Sequence, residues 1–536
     1  MSSQLSFVPT AGAGKNGTGN GDAAGLDFSN LSVIKTFENR NVFLTGATGF
    51  VGKVILEKIL RSIPNVGRIY VLVRPRKNQN PQDRMKEEIL GSRIFTTLRS
   101  QRKDFDAWAL SKLVAVPGEL TQPKVGMSDE VRQMLIENVN IVIHCAAVVD
   151  FNERLDRALE LNTLGSLRML ELAHECKHVK AFVHVSTCYV NSNQPSNSWI
   201  DEKVYPLGFD PEALIEKVMK MPTSDLDSIL STGILRNWPN TYTFTKAMTE
   251  HLLLKNRGNL PLAIVRPSIV GCAASEPVPG WVDVVSAAGA VFVAVGMGVV
   301  KFLPGSPLNI GDVIPVDYVS NSILVAISAI YDQDRYLVFQ AASSSEHPLV
   351  WGNAVRVIKT FFSRYPPPRA VGPVSFRFLR SPQMYQIAFF LQYSVPSTIL
   401  NTLALTGAPG FAEKAQLFNK LLWQVRVIIE AFRHFVQNQW IFSNQNVRSA
   451  WQSLSPEERK IFDLDLRPID WVRYSELFAY GLTNYTLKAP KQLSLAEGRD
   501  LRHINVAREL PLTPTTPLTA RIFPDSDMIA VSIISF

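Results

Sequence analysis

The sequence predicts an α/β chain: a Rossmann-like, doubly wound parallel sheet with a smaller, mainly helical C-terminal domain. Two observations predict the sheet. Short β-branched runs alternate with helix-period segments from Asn41 to about Asn193, and the first of them, "NVFLTG", passes directly into a glycine turn and a helix. Apolar runs separated by helices are what a parallel sheet covered on both faces requires. A third observation predicts the second domain: 536 residues exceed one ordinary core, and an amphipathic helical region leads into a polar, aromatic segment that ends near Lys488.

The strand candidates are, in order, "NVFLTG", "RIYVLVRP", "SKLVAVPGEL", "VNIVIHCAAV", "AFVHVSTCYVN" and "LAIVRPSIVG", with "TYTFTKAMTEHLLLKN" read as the helix before the last. Ligands of such a sheet lie beyond the carboxyl ends of its strands. The expected division is a flexible leader over 1–36, the doubly wound domain over 37–370, an apolar linker over 371–430, a C-terminal domain over 431–490 and a Pro/Thr-rich tail over 491–536. Two uncharged stretches stand out. The 17 residues Val284 to Val300 are read as a buried or surface helix-loop. Ser381 to Ala412, flanked by Arg377, Arg380 and Lys414, has two open readings: a membrane hairpin or interfacial anchor, and an apolar helix pair packed on the C-terminal domain.

Composition excludes several classes. Apolar residues make up 46% and charged residues 19%, which is globular protein with an apolar bias. The net charge of +8 suits polyanionic ligands or anionic lipid, and without a Lys/Arg-rich run or a zinc-finger or RNA-binding signature no nucleic-acid partner is expected. Four scattered cysteines with no CxxC pair argue against a disulfide framework or a metal site. No charged segment followed by an apolar one opens the sequence, so secretion is not expected.

Gly46, Gly49 and Gly52 form a GxxGxxG turn, with Thr48 and Phe50 between them. Lacking Cβ atoms, the glycines let backbone turn tightly and approach a pyrophosphate at a helix N-terminus, so a dinucleotide is expected here. The second strand ends in "VLVRPRK" with no acidic residue for a ribose diol; Arg74 and Arg76 stand where an adenosine 2′-phosphate would arrive, which favours NADPH over NADH. Tyr242 and Lys246 lie four apart on one helix, a spacing that stacks them on one face. A lysine ammonium there would stabilise phenolate and bind the nicotinamide ribose, letting Tyr242 give a proton. At the end of a central strand Thr187, with Ser186 as the second choice, would hydrogen-bond the reacting oxygen.

The Gly-rich turn, the "HCAA" strand end, the Ser/Thr pair and Tyr-x-x-x-Lys together resemble the extended short-chain dehydrogenase/reductases. The wording "TGATGFVGKVILEKILRS", "IYVLVRPRK", "HCAAVVDFNERLDRALELNTLGSLRMLELA", "FVHVSTCYVN", "IVRPSIVG" with "PGWVD", and "IGDVIPVDYVSNSIL" is more specifically similar to alcohol-forming fatty acyl-CoA reductases, the male-sterility proteins. The C-terminal "NQWIFSNQN" and "FDLDLRPIDWVRYSELFAYGLTNYTLK" match that family's smaller domain. The resemblance implies NADPH-dependent reduction of a long-chain acyl-CoA through an aldehyde to a fatty alcohol, with release of CoA. It implies Ala146, Ala147 and Asn162 along the cofactor, Lys246 on its ribose and Pro267 and Ser268 at its nicotinamide end. Gly118-Glu119 departs from the family's frequent Gly-Asp. The rival readings are an aldehyde-releasing thioester reductase and a non-catalytic NADP-binding interaction protein. A membrane surface is an expected partner, on the cytosolic side of an internal membrane such as the endoplasmic reticulum, or else a cytoplasmic location; oligomeric state is not legible.

Overall fold

The computed structural model describes residues 28–487, apart from 77–78, 227–228, 230–232, 286, 369 and 408, together with Leu493. Its centre is a seven-stranded, wholly parallel sheet of β1 (Val42–Thr45), β2 (Ile69–Val73), β3 (Leu113–Pro117), β4 (Ile141–His144), β5 (Ala181–Val185), β6 (Leu262–Pro267) and β7 (Tyr336–Ala341). Across the sheet the order is 7-6-5-4-1-2-3, so the chain reverses direction between β1 and β4. That reversal opens a crevice beyond the carboxyl ends of those two strands. All six expected strands form; β7 was not foreseen.

Every residue of β1, β2, β4, β5 and β6 is buried, as a sheet covered on both faces demands. The Phe50–Ser62 helix covers one face through Val54, Ile55, Leu56, Ile59 and Leu60. The Val316–Ile330 helix is buried over all 15 residues. Such a helix must be wrapped on every side; it sits between the sheet and the C-terminal Gln445–Gln452 helix.

The C-terminal region is sewn into this core. Ile441–Phe442 pairs in parallel with Trp199–Ile200, and the Tyr474 hydroxyl donates to the Cys272 carbonyl at 2.9 Å. The Val284–Val300 stretch holds a buried helix, Ala287–Gly296, where Gly296 lies flat against the ring of Phe362. In the 371–430 stretch a short strand, Arg377–Leu379, pairs with Phe302–Pro304, and then Pro382–Phe389, a π turn over Phe390–Ser394 and Val395–Leu405 lead to a 27-residue helix, Phe411–Gln437, on which the last of them packs.

Two expected boundaries move. The 430/431 division falls inside the Phe411–Gln437 helix, whose apolar face continues across it. Residues 28–36 are not a loose leader: Val33 is fully buried and its N–H donates to the Glu458 carboxylate at 2.7 Å, a partner 425 positions away. The rest of the leader, residues 1–27, lies outside the described residues, as does the tail except Leu493, which exchanges two hydrogen bonds with Asn484.

Candidate active site

The turn after β1 uses each glycine differently. Gly46 has φ +78°, and a Cβ there would stand 2.8 Å from the backbone nitrogen of Ala146, at the end of β4. Gly49 is the helix N-cap, its N–H donating to the Gly46 carbonyl at 2.9 Å. A Cβ on Gly52 would overlap that same carbonyl oxygen. The helix begins with no side-chain cap, leaving its first N–H groups for an anion. Thr48 lies half-buried in the turn, while the half-buried Phe50 packs its ring on Trp281.

A buried relay holds this turn against β4. Ser166 Oγ donates to the Asn162 carbonyl at 2.6 Å, and so accepts from His144 Nε2 at 2.9 Å. His144 Nδ1 then accepts from Thr45 Oγ1 at 2.8 Å, and Thr45 accepts from the Ala146 N–H at 3.1 Å. Only a neutral imidazole completes the chain. Burial, and secondarily the Lys246 charge, push His144 down to about 3, in agreement. Asn162 spends its amide on Val148, accepting from its N–H at 2.9 Å and donating to its carbonyl at 3.1 Å, and donates also to Thr245. It therefore shapes the Ala146–Ala147 segment through backbone. None of these supporting roles was read from the sequence.

The two strand-end hydroxyls separate. Ser186 Oγ donates to Glu250 at 2.6 Å, and Glu250 is also gripped by Arg266. Thr187 Oγ1 instead donates to the Pro267 carbonyl at 3.4 Å and accepts from the Tyr189 N–H, and it lies beside the Tyr242 phenol. The first choice, Thr187, is thus the hydroxyl beside Tyr242, while the second, Ser186, faces Glu250: residues adjacent along an extended chain point to opposite sides. Burial raises the Tyr242 phenol above its ordinary value, the neighbouring Cys145 adds to this, and Thr187 opposes it.

Tyr242 and Lys246 sit on the Thr241–Asn256 helix, begun by Asn240, whose side chain accepts from the Thr243 N–H. The Lys246 ammonium is buried and donates to the Val185 carbonyl at 2.7 Å, at the very end of β5. Burial lowers it to about 8, against the pull of Cys145 and Glu250. Lys246 is thus anchored to the strand end that carries Thr187. Pro267 supplies the carbonyl already named; the Ser268 hydroxyl is buried with no hydrogen-bond partner among the described residues. A cradle that excludes Cβ atoms, bare helix N–H groups and an orphaned hydroxyl at the far end fit an extended dinucleotide.

Arg74 and Arg76 are exposed just beyond β2. Arg74 Nε lies 3.5 Å from Glu119 and Arg76 Nη1 lies 2.7 Å from Glu88. The buried Arg84 fixes the backbone between them by donating to the Arg74 carbonyl at 2.6 Å. Cys188 faces away from the site: its Sγ points at the Arg266 carbonyl at 3.0 Å, and burial holds it well above its ordinary value.

A male sterility protein model matches residues 44–323, and a second model of the same description matches residues 394–489. The chain belongs to the male sterility protein family. Fatty acyl-CoA reductase 1 of Mus musculus is 34% identical over 483 residues, covering 90% of each chain. Fatty acyl-CoA reductase 2 of Homo sapiens is 33% identical over 463 residues, covering 85% of this chain and 87% of its own. Among solved structures, the terminal R domain of the myxalamid PKS-NRPS biosynthetic pathway superposes with a TM-score of 0.55 at 19% identity, covering 83% of this chain and 91% of that one, a likeness of fold. This male sterility protein is an NAD(P)-dependent oxidoreductase. The second model begins at residue 394, so the family's C-terminal unit includes the Phe411–Gln437 helix that the expected boundary divided.

Proposed function

We infer that this chain reduces a long-chain fatty acyl-CoA to a fatty alcohol with NADPH, through an aldehyde, releasing CoA. The Thr187 hydroxyl beside Tyr242, with Lys246 of the same helix anchored to the Val185 carbonyl at the carboxyl end of the sheet and beside the nucleotide crevice, carries the reading. A nicotinamide held in the crevice would supply the hydride for the thioester carbonyl and later for the aldehyde. Thr187 and Tyr242 hold the oxygen that gains charge, and Tyr242 gives it a proton. Lys246 keeps a positive charge behind the phenol and orients the cofactor ribose. One pair serves both reductions, since each hydride addition puts charge on the same oxygen; after the first, the hemithioacetal hydroxyl gives its proton back as the C–S bond breaks, the carbonyl re-forms as aldehyde and CoA leaves as the thiol. No thiol nucleophile is required, consistent with the inward-facing Cys188.

Preference for NADPH rests on Arg74 and Arg76. Each now leans on a carboxylate, Glu119 or Glu88, that an arriving 2′-phosphate would outcompete with its greater charge. The test of the whole reading gives purified protein NADPH or NADH and a panel of acyl-CoAs, then quantifies CoA, aldehyde and alcohol. Two NADPH per CoA with alcohol supports it. One NADPH with free aldehyde makes the chain an aldehyde-releasing thioester reductase.

The apolar helices also bear on where the protein works. Met384, Ile387, Phe390, Leu391, Ile399 and Leu405 are exposed on the Pro382–Leu405 helices, in a run without a charge between Arg380 and Glu413. Among the described residues no helix is long and apolar enough to cross a membrane. A face of that kind, with Arg377, Arg380 and Lys414 at its edges, suits the surface of an anionic bilayer. The cytosolic side of an internal membrane, such as the endoplasmic reticulum, is the corresponding location. Flotation with anionic vesicles, lost when Phe390 and Leu391 are made Ser, tests it.

A further inference from the structure

Tyr242 does not end in open solvent. Its ring stacks on Phe151 at 6.0 Å between centroids, and Phe151 in turn meets Phe432 at 6.0 Å and Phe435 at 5.6 Å. Those two phenylalanines lie near the end of the Phe411–Gln437 helix. Asp150 and Asn152, the neighbours of Phe151, form one wall of a cleft of about 820 Å³. Its other walls are Tyr385, Phe389 and Phe390 from one side of the apolar hairpin and Trp423, Val427 and Ile429 from the long helix. The volume falls within the roughly 300–1,000 Å³ of ligand sites.

The residues of the long helix that line the cleft, Trp423 to Glu430, lie within seven residues of helix, about 10 Å at 1.5 Å per residue, and Phe432 and Phe435 continue the same helix toward Phe151 and Tyr242. The charged groups of the cleft are Asp150, Glu430 and Arg426, and the Arg426 guanidinium lies over the Phe389 ring at 5.7 Å. Two carboxylates against one arginine disfavour the phosphates of CoA, whereas the aromatic and aliphatic walls favour hydrocarbon. At the far end Trp423 and Phe390 are exposed, so the cleft is open there.

We propose that the acyl tail of the substrate lies in this cleft, passing Phe151 and running along the Phe411–Gln437 helix toward Trp423. The assignment rests on the acyl-CoA reading above and adds to it the place of the tail and the residues that set its usable length. Phe151 is the threshold between thioester and tail. Val427, on the long helix, and Ser394, on the Phe390–Ser394 π turn, both line the cleft.

The test fills the cleft. Val427→Trp and, separately, Ser394→Trp are assayed with 8-carbon and 16-carbon acyl-CoA, and NADPH binding by each variant reports that it is folded. Each methylene excluded from an apolar site loses about 0.8 kcal/mol, roughly fourfold. The ratio of kcat/KM for the 8-carbon over the 16-carbon substrate is therefore expected to rise at least about tenfold in both variants. An unchanged ratio in a variant that binds NADPH like the wild type overturns the cleft while leaving the acyl-CoA reading intact. Wild-type protein that reduces neither substrate removes that reading and the cleft with it. Because the two variants plug the same volume from different segments, a fold defect in one leaves the other decisive.

Discussion

Glu250 and Arg266 form a doubly hydrogen-bonded ion pair wholly inside the protein, Nε to Oε1 at 2.9 Å and Nη2 to Oε2 at 2.5 Å. Glu250 stands two helical turns beyond Tyr242 and one beyond Lys246, and it also holds Ser186. The pair ties the catalytic helix to β6 and β5 at once. Removing one charge strands the other in a dry site, which typically costs about 3–5 kcal/mol. Glu250→Ala is expected to lower stability by that order, read from the denaturant midpoint, with the paired apolar replacement Glu250→Leu with Arg266→Met recovering much of it.

Tyr242→Phe keeps the ring on Phe151 and removes the acid. Reduction of acyl-CoA is expected to fall at least about 100-fold in kcat, with NADPH binding retained. Thr187→Val removes the second donor to the same oxygen and is expected to cost about 100- to 1,000-fold. Ser186→Ala, whose hydroxyl faces Glu250, is expected to act mainly on stability. Steady-state rates beside a cofactor titration separate the three.

The nucleotide turn has a prediction independent of substrate. Gly46→Ala forces a Cβ onto a residue at φ +78° and to within 2.8 Å of the Ala146 nitrogen. Left-handed strain alone costs about 1–2 kcal/mol, and relief of the contact must push the turn off β4. NADPH affinity, measured by fluorescence titration, is expected to fall more than about tenfold.

What was legible in the sequence was what is local. The β1 turn, the Tyr242 to Lys246 spacing and the hydroxyl pair each lie within one turn or strand, where periodicity and glycine chemistry speak directly. The hydroxyl pair was legible, yet the different surroundings of Ser186 and Thr187 depend on Glu250, 64 positions from Ser186, and on Arg266 beyond it. Asn162 was placed near the cofactor without its grip on Val148, and the His144 relay was missed because it joins three separate segments. The packing of Val33 on Glu458 joins opposite ends of the described chain, a contact no local pattern encodes. The "HCAA" motif and a third helical position four beyond Lys246 were the available signals for His144 and Glu250.

Arg74 and Arg76 give a test of cofactor choice. A charge-assisted contact to phosphate is worth about 1.5–3 kcal/mol, so Arg74→Ala with Arg76→Ala is expected to weaken NADPH binding by about 10- to 100-fold or more. NADH lacks that phosphate, and its binding is expected to change little. Equal losses for both cofactors would place the arginines elsewhere than on the 2′-phosphate.

The Lys246 ammonium sets a pH limit with a definite sign. Burial lowers it from 10.5 to about 8, so in the folded protein it loses its proton on passing upward through about 8. Between about 8 and 10.5 the unfolded chain binds the extra proton and the folded chain does not. Stability linked to this group therefore rises with pH across that window, and the cost of burying the ammonium is fully present below it. Activity runs the other way, because the charge behind Tyr242 is present only below about 8. The rate of reduction is expected to fall as pH rises through about 8, by about tenfold per pH unit above it. Lys246→Met, which has no charge to lose, is expected to be slow throughout and to lack that alkaline limb. A limb that persists in Lys246→Met would belong to another group. Pre-steady-state rates of NADPH oxidation from pH 6 to pH 10 make the measurement.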